Sequence, residues 1–134
     1  MPYERDIQAA FIERVRWAEN ADERLRLSYA VPNGAWTRNF AVAQILRKTG
    51  LRPGVPDWCL PLPVWSKRIA GLRIEFKRPK ERMTQEQKAY ASLAAMYGWR
   101  VVVCFSADEA WRIVSEYLAE VENDQSPTPV RWGK

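Results

Sequence analysis

Two acidic residues and one lysine have the types and the spacing that metal-assisted cleavage of a phosphodiester needs. Asp57 follows the stiff turn 52–56 at the start of an apolar run, whereas Glu75 and Lys77 lie near the end of the next run. If these runs are neighbouring antiparallel strands, the two carboxylates meet at one corner of a sheet. Carboxylates hold a hard divalent cation that activates water, and an ammonium beside them stabilises charge on a phosphate. The three residues therefore predict metal-dependent phosphodiester hydrolysis.

Two further groups are expected at the same corner. The main-chain carbonyl of Phe76 offers another oxygen to the metal, and Gln87 lies at the start of the next helix.

Each motif also has an ordinary structural interpretation. Glu-x-Lys on an alternating strand is more often a solvent-exposed, ion-paired face, and Pro-Asp after a glycine turn is more often a plain loop. The order of the contexts, Pro-Asp entering a strand and Glu-x-Lys leaving the next, favours the chemical interpretation.

The spacing of apolar residues predicts the elements that position these groups. Helical periodicity predicts helices over 3–20, 37–49, 84–97 and 107–121, and alternating or continuous apolar runs predict strands over 25–31, 58–62, 72–77 and 100–105. The run Val101–Cys104 is typical of a buried central strand. The order α-β-α-β-β-α-β-α indicates an α/β fold, a mixed sheet flanked by α-helices.

Composition sets outer limits on function. The 134 residues carry a formal net charge of +5, which favours a polyanionic partner. The chain contains no histidine, so Ser-His-Asp triads and His-zinc sites are excluded. Cys59 and Cys104 lie in apolar runs and are interpreted as small core residues of a protein in a reducing cytoplasm. No apolar run is long enough to cross a membrane, and the first 16 residues do not have the pattern of a signal peptide.

Four stretches occur in a characteristic order: Pro32-Asn33-Gly34, Gly54-Val55-Pro56-Asp57, Ile74-Glu75-Phe76-Lys77-Arg78-Pro79, and Gln87-Lys88 followed by the strand 100–104. Together they resemble the PD-(D/E)xK nucleases and, within them, the stand-alone VRR-NUC domains of phages and bacteria, which are similar to Holliday-junction resolvases. The resemblance extends over about residues 4–114 and implies a restriction-endonuclease-like core. Ala35 and an inserted Thr37 depart from the usual pattern.

The resemblance also implies a mechanism. Mg²⁺ or Mn²⁺ would be held by Asp57, Glu75 and the Phe76 carbonyl, with Glu4 acting through water. Lys77 would position the attacking water, and Gln87 completes the predicted catalytic set. The family carries a glutamate and a glutamine on its first helix, and Glu4 and Gln8 match those positions. Glu13, farther along the same helix, stays open as the alternative glutamate.

The implied substrate is DNA, including branched DNA, cut by a homodimer in a bacterial or phage-infected cytoplasm without contact to a membrane. A single nuclease domain is expected over 1–121, followed by a polar C-terminal tail over 122–134. The resemblance, together with charge and neighbourhood, assigns DNA contacts to Asn33, Arg38, Arg78, Lys80 and Arg82. Three tryptophans are interpreted either as base-stacking or as packing residues: Trp36, Trp58 and Trp65.

Two rival functions remain open from the sequence. A non-catalytic nucleic-acid-binding module would keep the fold and the basic surface without turnover. An interaction subunit would use the tryptophans as a protein interface. Retention of Asp57, Glu75 and Lys77 argues against a pure binder, because two carboxylates facing a phosphate do not help binding.

Overall fold

A computed structural model of the chain describes residues 3–32 and 39–125. The helices are α1 Glu4–Ala18, α2 Phe40–Lys48, α3 Gln85–Met96 and α4 Ala107–Glu122, and the strands are β1 Tyr29–Ala30, β2 Trp58–Leu60, β3 Gly71–Phe76 and β4 Trp99–Cys104. The predicted α/β fold, a mixed sheet with helices against it, is confirmed. No helix in these two ranges is long and apolar enough to cross a membrane.

The four-stranded sheet has the order β1-β2-β3-β4. Its first two pairings are antiparallel, whereas β3 and β4 are parallel and are connected through α3. In the β2–β3 hairpin, Trp58 is the partner of Ile74. Continuing this register by one residue brings Asp57, just before β2, opposite Glu75 near the end of β3.

The core lies on one face of the sheet, beneath α1 and α4. Leu72, Ile74 and Phe76 alternate along β3 and are fully buried on this face. The Phe11 ring of α1 packs edge-on against Trp58, with ring centroids 4.9 Å apart, and lies 5.3 Å from the Phe76 ring. The alternation of β3 therefore turns Arg73, Glu75 and the following Lys77 toward the opposite face.

The predicted strand over 25–31 is wrong for most of its length. Residues Glu23–Leu27 form a 3₁₀ turn, and the strand is limited to Tyr29–Ala30. The Asp22 side chain begins the turn by accepting a hydrogen bond from the Arg24 main-chain N–H (3.2 Å). Leu25 is buried but Leu27 is 55% exposed, so the two leucines do not share a core face as alternation had suggested.

The run Val101–Cys104 does form a strand, but the prediction of a central strand is wrong. β4 is the last strand of the described sheet, and residues 99–103 are only half-buried. A short apolar run does not separate a central strand from an edge strand that one helix partly covers. α3 provides that cover here, because it contacts β4.

The residues at the end of α4 contact the segment between β2 and β3. α4 ends at Glu122, and Asp124 then accepts hydrogen bonds from the main-chain N–H groups of Trp65 (2.6 Å) and Ser66 (3.2 Å). The first residues of the predicted tail are thus attached to the segment between β2 and β3. Both cysteines are buried and free, as core residues should be.

Candidate active site

The corner of the β2–β3 hairpin holds a pair of buried carboxylates. Asp57 is 6% exposed and Glu75 is 3% exposed. The Phe76 main-chain N–H donates a 2.7 Å hydrogen bond to Oδ2 of Asp57, and the Asp57 main-chain oxygen accepts one from the N–H of Val31 (2.8 Å). Asp57 is therefore held between β1 and β3, and the predicted meeting of the two acids is observed.

The environment of Glu75 disfavours a second negative charge beside Asp57. Burial raises the pKa of the Glu75 carboxyl to about 9, and its hydrogen bond to Asp57 and the charge of that residue add to the rise. Near neutral pH, the Glu75 carboxyl is therefore in its protonated form. The alternative interpretation of Glu-x-Lys as a solvent-exposed face is wrong, because both side chains are buried.

Lys77 is the third member of this group. It is 5% exposed, and its main-chain N–H donates to the carbonyl of Cys104 (3.0 Å), so the β3–β4 pairing continues one residue beyond β3. Its Nζ lies 3.4 Å from Oε1 of Glu4 on α1. A buried ammonium thus stands beside the acid pair, with one carboxylate from α1 as its partner.

These side chains line one cleft of about 580 Å³. Six side chains that the sequence analysis singled out line this cleft: Glu4, Gln8, Asp57, Glu75, Lys77 and Gln87. Gln8 is buried, one turn after Glu4 on α1. Glu13 lines a different depression on α1, together with Ala9 and Trp17. Of the two glutamates that the sequence left open, the structure brings Glu4 into the cleft.

Gln87 is fixed at the cleft wall by the start of α3. Its side-chain oxygen accepts from the Thr84 main-chain N–H (2.8 Å), and the Thr84 hydroxyl accepts from the Gln87 N–H (3.2 Å), which is the predicted capping box. The turn before Asp57 packs on this helix start. A Cβ at Gly54, where φ is +85°, would come 2.3 Å from the carbonyl oxygen of Glu86. Only glycine allows this approach.

The arginines that line the described part of the cleft are not among the predicted DNA contacts. Three arginines that the sequence did not single out line it: Arg5, Arg47 and Arg52. Arg78, Lys80 and Arg82 do not line it, and Arg78 pairs instead with Glu81 (3.1 Å). One signal for Arg52 was available, since it opens the turn that delivers Asp57. Asn33, Trp36 and Arg38 lie outside the described residues.

The other two tryptophans have different surroundings. Trp58 is fully buried against Phe11, so the packing interpretation holds for it and base stacking is wrong. Trp65 is 48% exposed and lies beyond β2, between Val64 and Ser66, in the segment that leads to β3. Neither residue lines the cleft.

The donor atoms of the site suit a hard divalent cation. Asp57 and Glu75 supply carboxylate oxygens, and the Phe76 carbonyl is next to Glu75 along the chain. In the described ranges, no group of three or more histidine, cysteine, aspartate or glutamate side chains forms a cluster able to hold a metal. Glu4 pairs with Lys77, which agrees with a place outside the direct ligand set. Two carboxylates with solvent ligands are typical of Mg²⁺ sites.

Comparison with known proteins decides the family. The family model of the VRR-NUC domain matches residues 3–108, most of the chain. The chain belongs to the VRR-NUC family. A solved structure described as a VRR_NUC domain protein shares the fold with a TM-score of 0.69, covering 89% of this chain and 90% of that one at 19% identity. A search of the curated proteins found no match.

Membership confirms the resemblance drawn from the motifs. VRR-NUC domains form a family of nucleases within the PD-(D/E)xK superfamily, and DNA is the substrate of that family. In this VRR-NUC domain, both the Gly-Val-Pro-Asp and the Ile-Glu-Phe-Lys stretches fall inside the matched range, and both contribute residues to one cleft.

Proposed function

We propose that this VRR-NUC domain is a divalent-metal-dependent deoxyribonuclease that hydrolyses phosphodiester bonds of DNA. One observation carries the proposal: the buried carboxylates of Asp57 and Glu75 share a cleft with the buried ammonium of Lys77. Burial of three ionisable groups is costly, and a fold gains nothing from it unless the groups act together.

The charge of the cleft supports the need for a metal. Three carboxylates, Glu4, Asp57 and Glu86, face four cations, Arg5, Arg47, Arg52 and Lys77, while the raised pKa of Glu75 leaves that carboxyl neutral near pH 7. The described cleft therefore carries only about one net positive charge. A divalent cation held by the acid pair would displace the proton of Glu75 and add positive charge where the phosphodiester binds.

The roles follow from where each group stands. Asp57, Glu75 and the Phe76 carbonyl would hold Mg²⁺ or Mn²⁺, with Glu4 acting through water. When bound, the metal lowers the pKa of a water and stabilises charge at the phosphate. Lys77, held by Glu4, would orient the attacking water.

The remaining groups of the cleft would position the substrate. Gln87 has its side-chain oxygen engaged at the start of α3, so its NH₂ group is the donor left for the substrate. Arg5, Arg47 and Arg52 line the same cleft and would grip phosphates on either side of the scissile bond.

We further propose selectivity for branched DNA, including four-way junctions, and action as a homodimer in a bacterial or phage-infected cytoplasm. Family resemblance supports these points. A homodimer would suit the cutting of two strands of one branched substrate, because a two-fold axis relates two identical sites. Elution of the protein alone and of its mixture with junction DNA from a size-exclusion column measures this directly.

The decisive experiment uses end-labelled linear, flap and junction DNAs incubated with Mg²⁺, Mn²⁺ or a chelator. We expect cleavage with either metal by the natural chain, none with chelator and none by Asp57→Asn. Salt-sensitive DNA binding without cleavage under all conditions would instead establish the non-catalytic binding module. Absence of DNA binding would favour the interaction subunit.

A further inference from the structure

A second cavity of about 400 Å³ opens beside the cleft, on the side of β1 and α2. Both cavities are lined by Pro32, Leu51, Arg52 and Val55, so the two are adjoining spaces on the same surface. A ligand held in the cleft can therefore extend into the second cavity. Among the described residues, neither the predicted catalytic residues nor the predicted DNA contacts Arg78, Lys80 and Arg82 line it.

The described walls of this cavity are mostly aromatic and apolar, and their charged residues are two arginines, Arg52 and Arg73. Tyr29 of β1 and Tyr90 of α3 supply rings, and Leu46 and Val31 supply aliphatic surface. None of the described residues that line the cavity carries a carboxylate. Such a composition suits a flat, partly apolar group that carries hydrogen-bond acceptors.

Arg73 gives the cavity a hydrogen-bond donor. Its guanidinium carbon lies 4.3 Å from the centroid of the Trp99 ring and 5.8 Å from that of Tyr90, so the group is within cation–π range of both rings. Its Nε–H is buried and has no acceptor among the described residues. Buried donors are normally satisfied. Because this nitrogen has almost no surface open to solvent, an acceptor on a ligand would reach it after a small shift of the guanidinium.

We propose that this cavity binds one unpaired nucleobase of the DNA whose backbone lies in the cleft. A single base fits the volume, tyrosine rings stack on bases of any sequence, and every base has acceptors for an arginine. A free phosphate fits less well, because most of the wall is apolar. The inference rests on the proposed function, since it takes the cleft to be the path of the DNA backbone.

The consequence is a physical basis for choosing among DNA structures. A base inside a duplex is paired and stacked, and it enters a pocket only after being extruded from the helix. A flap, a junction or a single strand offers a base that is already free. The pocket therefore favours DNA with an unpaired nucleotide next to the scissile phosphate.

The test measures binding in chelator, so it does not depend on cleavage. Dissociation constants are compared for a duplex with a single-stranded flap and for the same DNA with an abasic site at each of the first unpaired positions. We expect removal of one particular base to weaken binding by the natural chain about tenfold, the scale of stacking on one aromatic side chain. For the Tyr90→Ala variant, the DNA with this abasic site should bind almost as tightly as the intact flap DNA.

Two further variants complete the design. Leu46→Trp fills the cavity from α2, a helix with no buried residue, so the fold should persist while sensitivity to the abasic site is lost. Tyr97→Ala removes an exposed tyrosine at the end of α3 and should behave as the natural chain. The inference is overturned if no abasic site weakens binding, if Tyr90→Ala and Leu46→Trp keep the full effect, or if the flap DNA does not bind. If the natural chain bound flap DNA more weakly when the base was missing but did not cleave DNA with any metal, only the proposed function would be contradicted.

Discussion

Oδ2 of Asp57 accepts a 2.7 Å hydrogen bond from the main-chain N–H of Phe76, the residue between Glu75 and Lys77. The first acid of the site is thus attached to the backbone that carries the other two groups. Backbone geometry, and not side-chain rotamers alone, fixes how these groups lie relative to one another. This contact separates the effect of a substitution on chemistry from its effect on stability.

Asp57→Asn should abolish cleavage while leaving the fold intact. The amide oxygen still accepts from Phe76, but a metal-binding charge is lost, so we expect the rate to fall by at least about 100-fold. Asp57→Ala should be inactive and also less stable by roughly 1–3 kcal/mol, because the buried Phe76 N–H loses its acceptor. Cleavage assays and denaturant unfolding of both variants measure the two effects. Equal stability of the two variants would mean that the hydrogen bond contributes nothing.

Lys77→Met should reduce kcat strongly and affect DNA binding little. Methionine keeps much of the apolar volume of the buried side chain but removes the ammonium that lies 3.4 Å from Glu4. We expect a loss of at least about 100-fold in the single-turnover rate at saturating DNA. Lys48→Met, an exposed lysine at the end of α2, is the matched control and should cleave normally. A change confined to KM would assign Lys77 to substrate binding.

The arginines of the cleft should contribute more to DNA binding than the cations predicted from sequence. Arg47→Gln and Arg52→Gln should each weaken binding and make the slope of log K against log salt shallower by about one unit. Lys80→Gln and Arg82→Gln test the surface outside the cleft. Titrations at several salt concentrations give the slopes.

Arg26→Gln is the matched control for these titrations, because it removes one positive charge from an exposed position that does not line the cleft. It reports the effect of net charge alone. If Lys80→Gln and Arg82→Gln changed the slope as much as Arg47→Gln and Arg52→Gln, the DNA path would cover both surfaces.

Glu120 on α4 should make stability depend on acid pH. Hydrogen bonds from Arg100 and Lys67 lower the pKa of its carboxyl to about 2. A lowered pKa means that the contribution is complete above the unfolded value of about 4.5 and is lost as the pH falls toward 2. Because the side chain is partly exposed, we expect Glu120→Gln to cost about 1–2 kcal/mol near pH 7.

That cost should shrink steadily below pH 4.5, which thermal unfolding of both chains across this range will show. Glu116→Gln is a control on the same helix, since its pair with Arg112 is exposed on both sides. A cost for Glu120→Gln that stayed constant with pH would show that packing, and not charge, is responsible.

The sequence predicted the parts of the site that depend on local pattern. Alternation along β3 placed Glu75 and Lys77 on one face, and the turn before Asp57 placed that residue at the hairpin corner. Patterns within a few residues are enough for such predictions, because strand geometry has a fixed period. The capping box at Thr84 and Gln87 was found in the same way.

The parts that the sequence did not predict depend on contacts between distant segments. Arg47 and Arg52 reach the cleft because the chain from α2 folds back beside Asp57, and no local pattern encodes that path. The turn at Glu23–Leu27 resembled a strand, because spacing alone does not show whether Leu27 has a partner. Likewise, the apolar run of β4 carries no information on how many neighbours the strand has.

The β2–β3 hairpin also separates the carboxylates of the site from the loop at its other end. Residues 61–70 connect β2 to β3 at the end away from Asp57, and the four residue steps from Gly71 to Glu75 place about 13 Å between that end and Glu75. A dye or an added module joined to this connection would stand clear of the bound nucleic acid. DNA cleavage by single molecules could then be followed by the fluorescence of a dye that lies outside the active site.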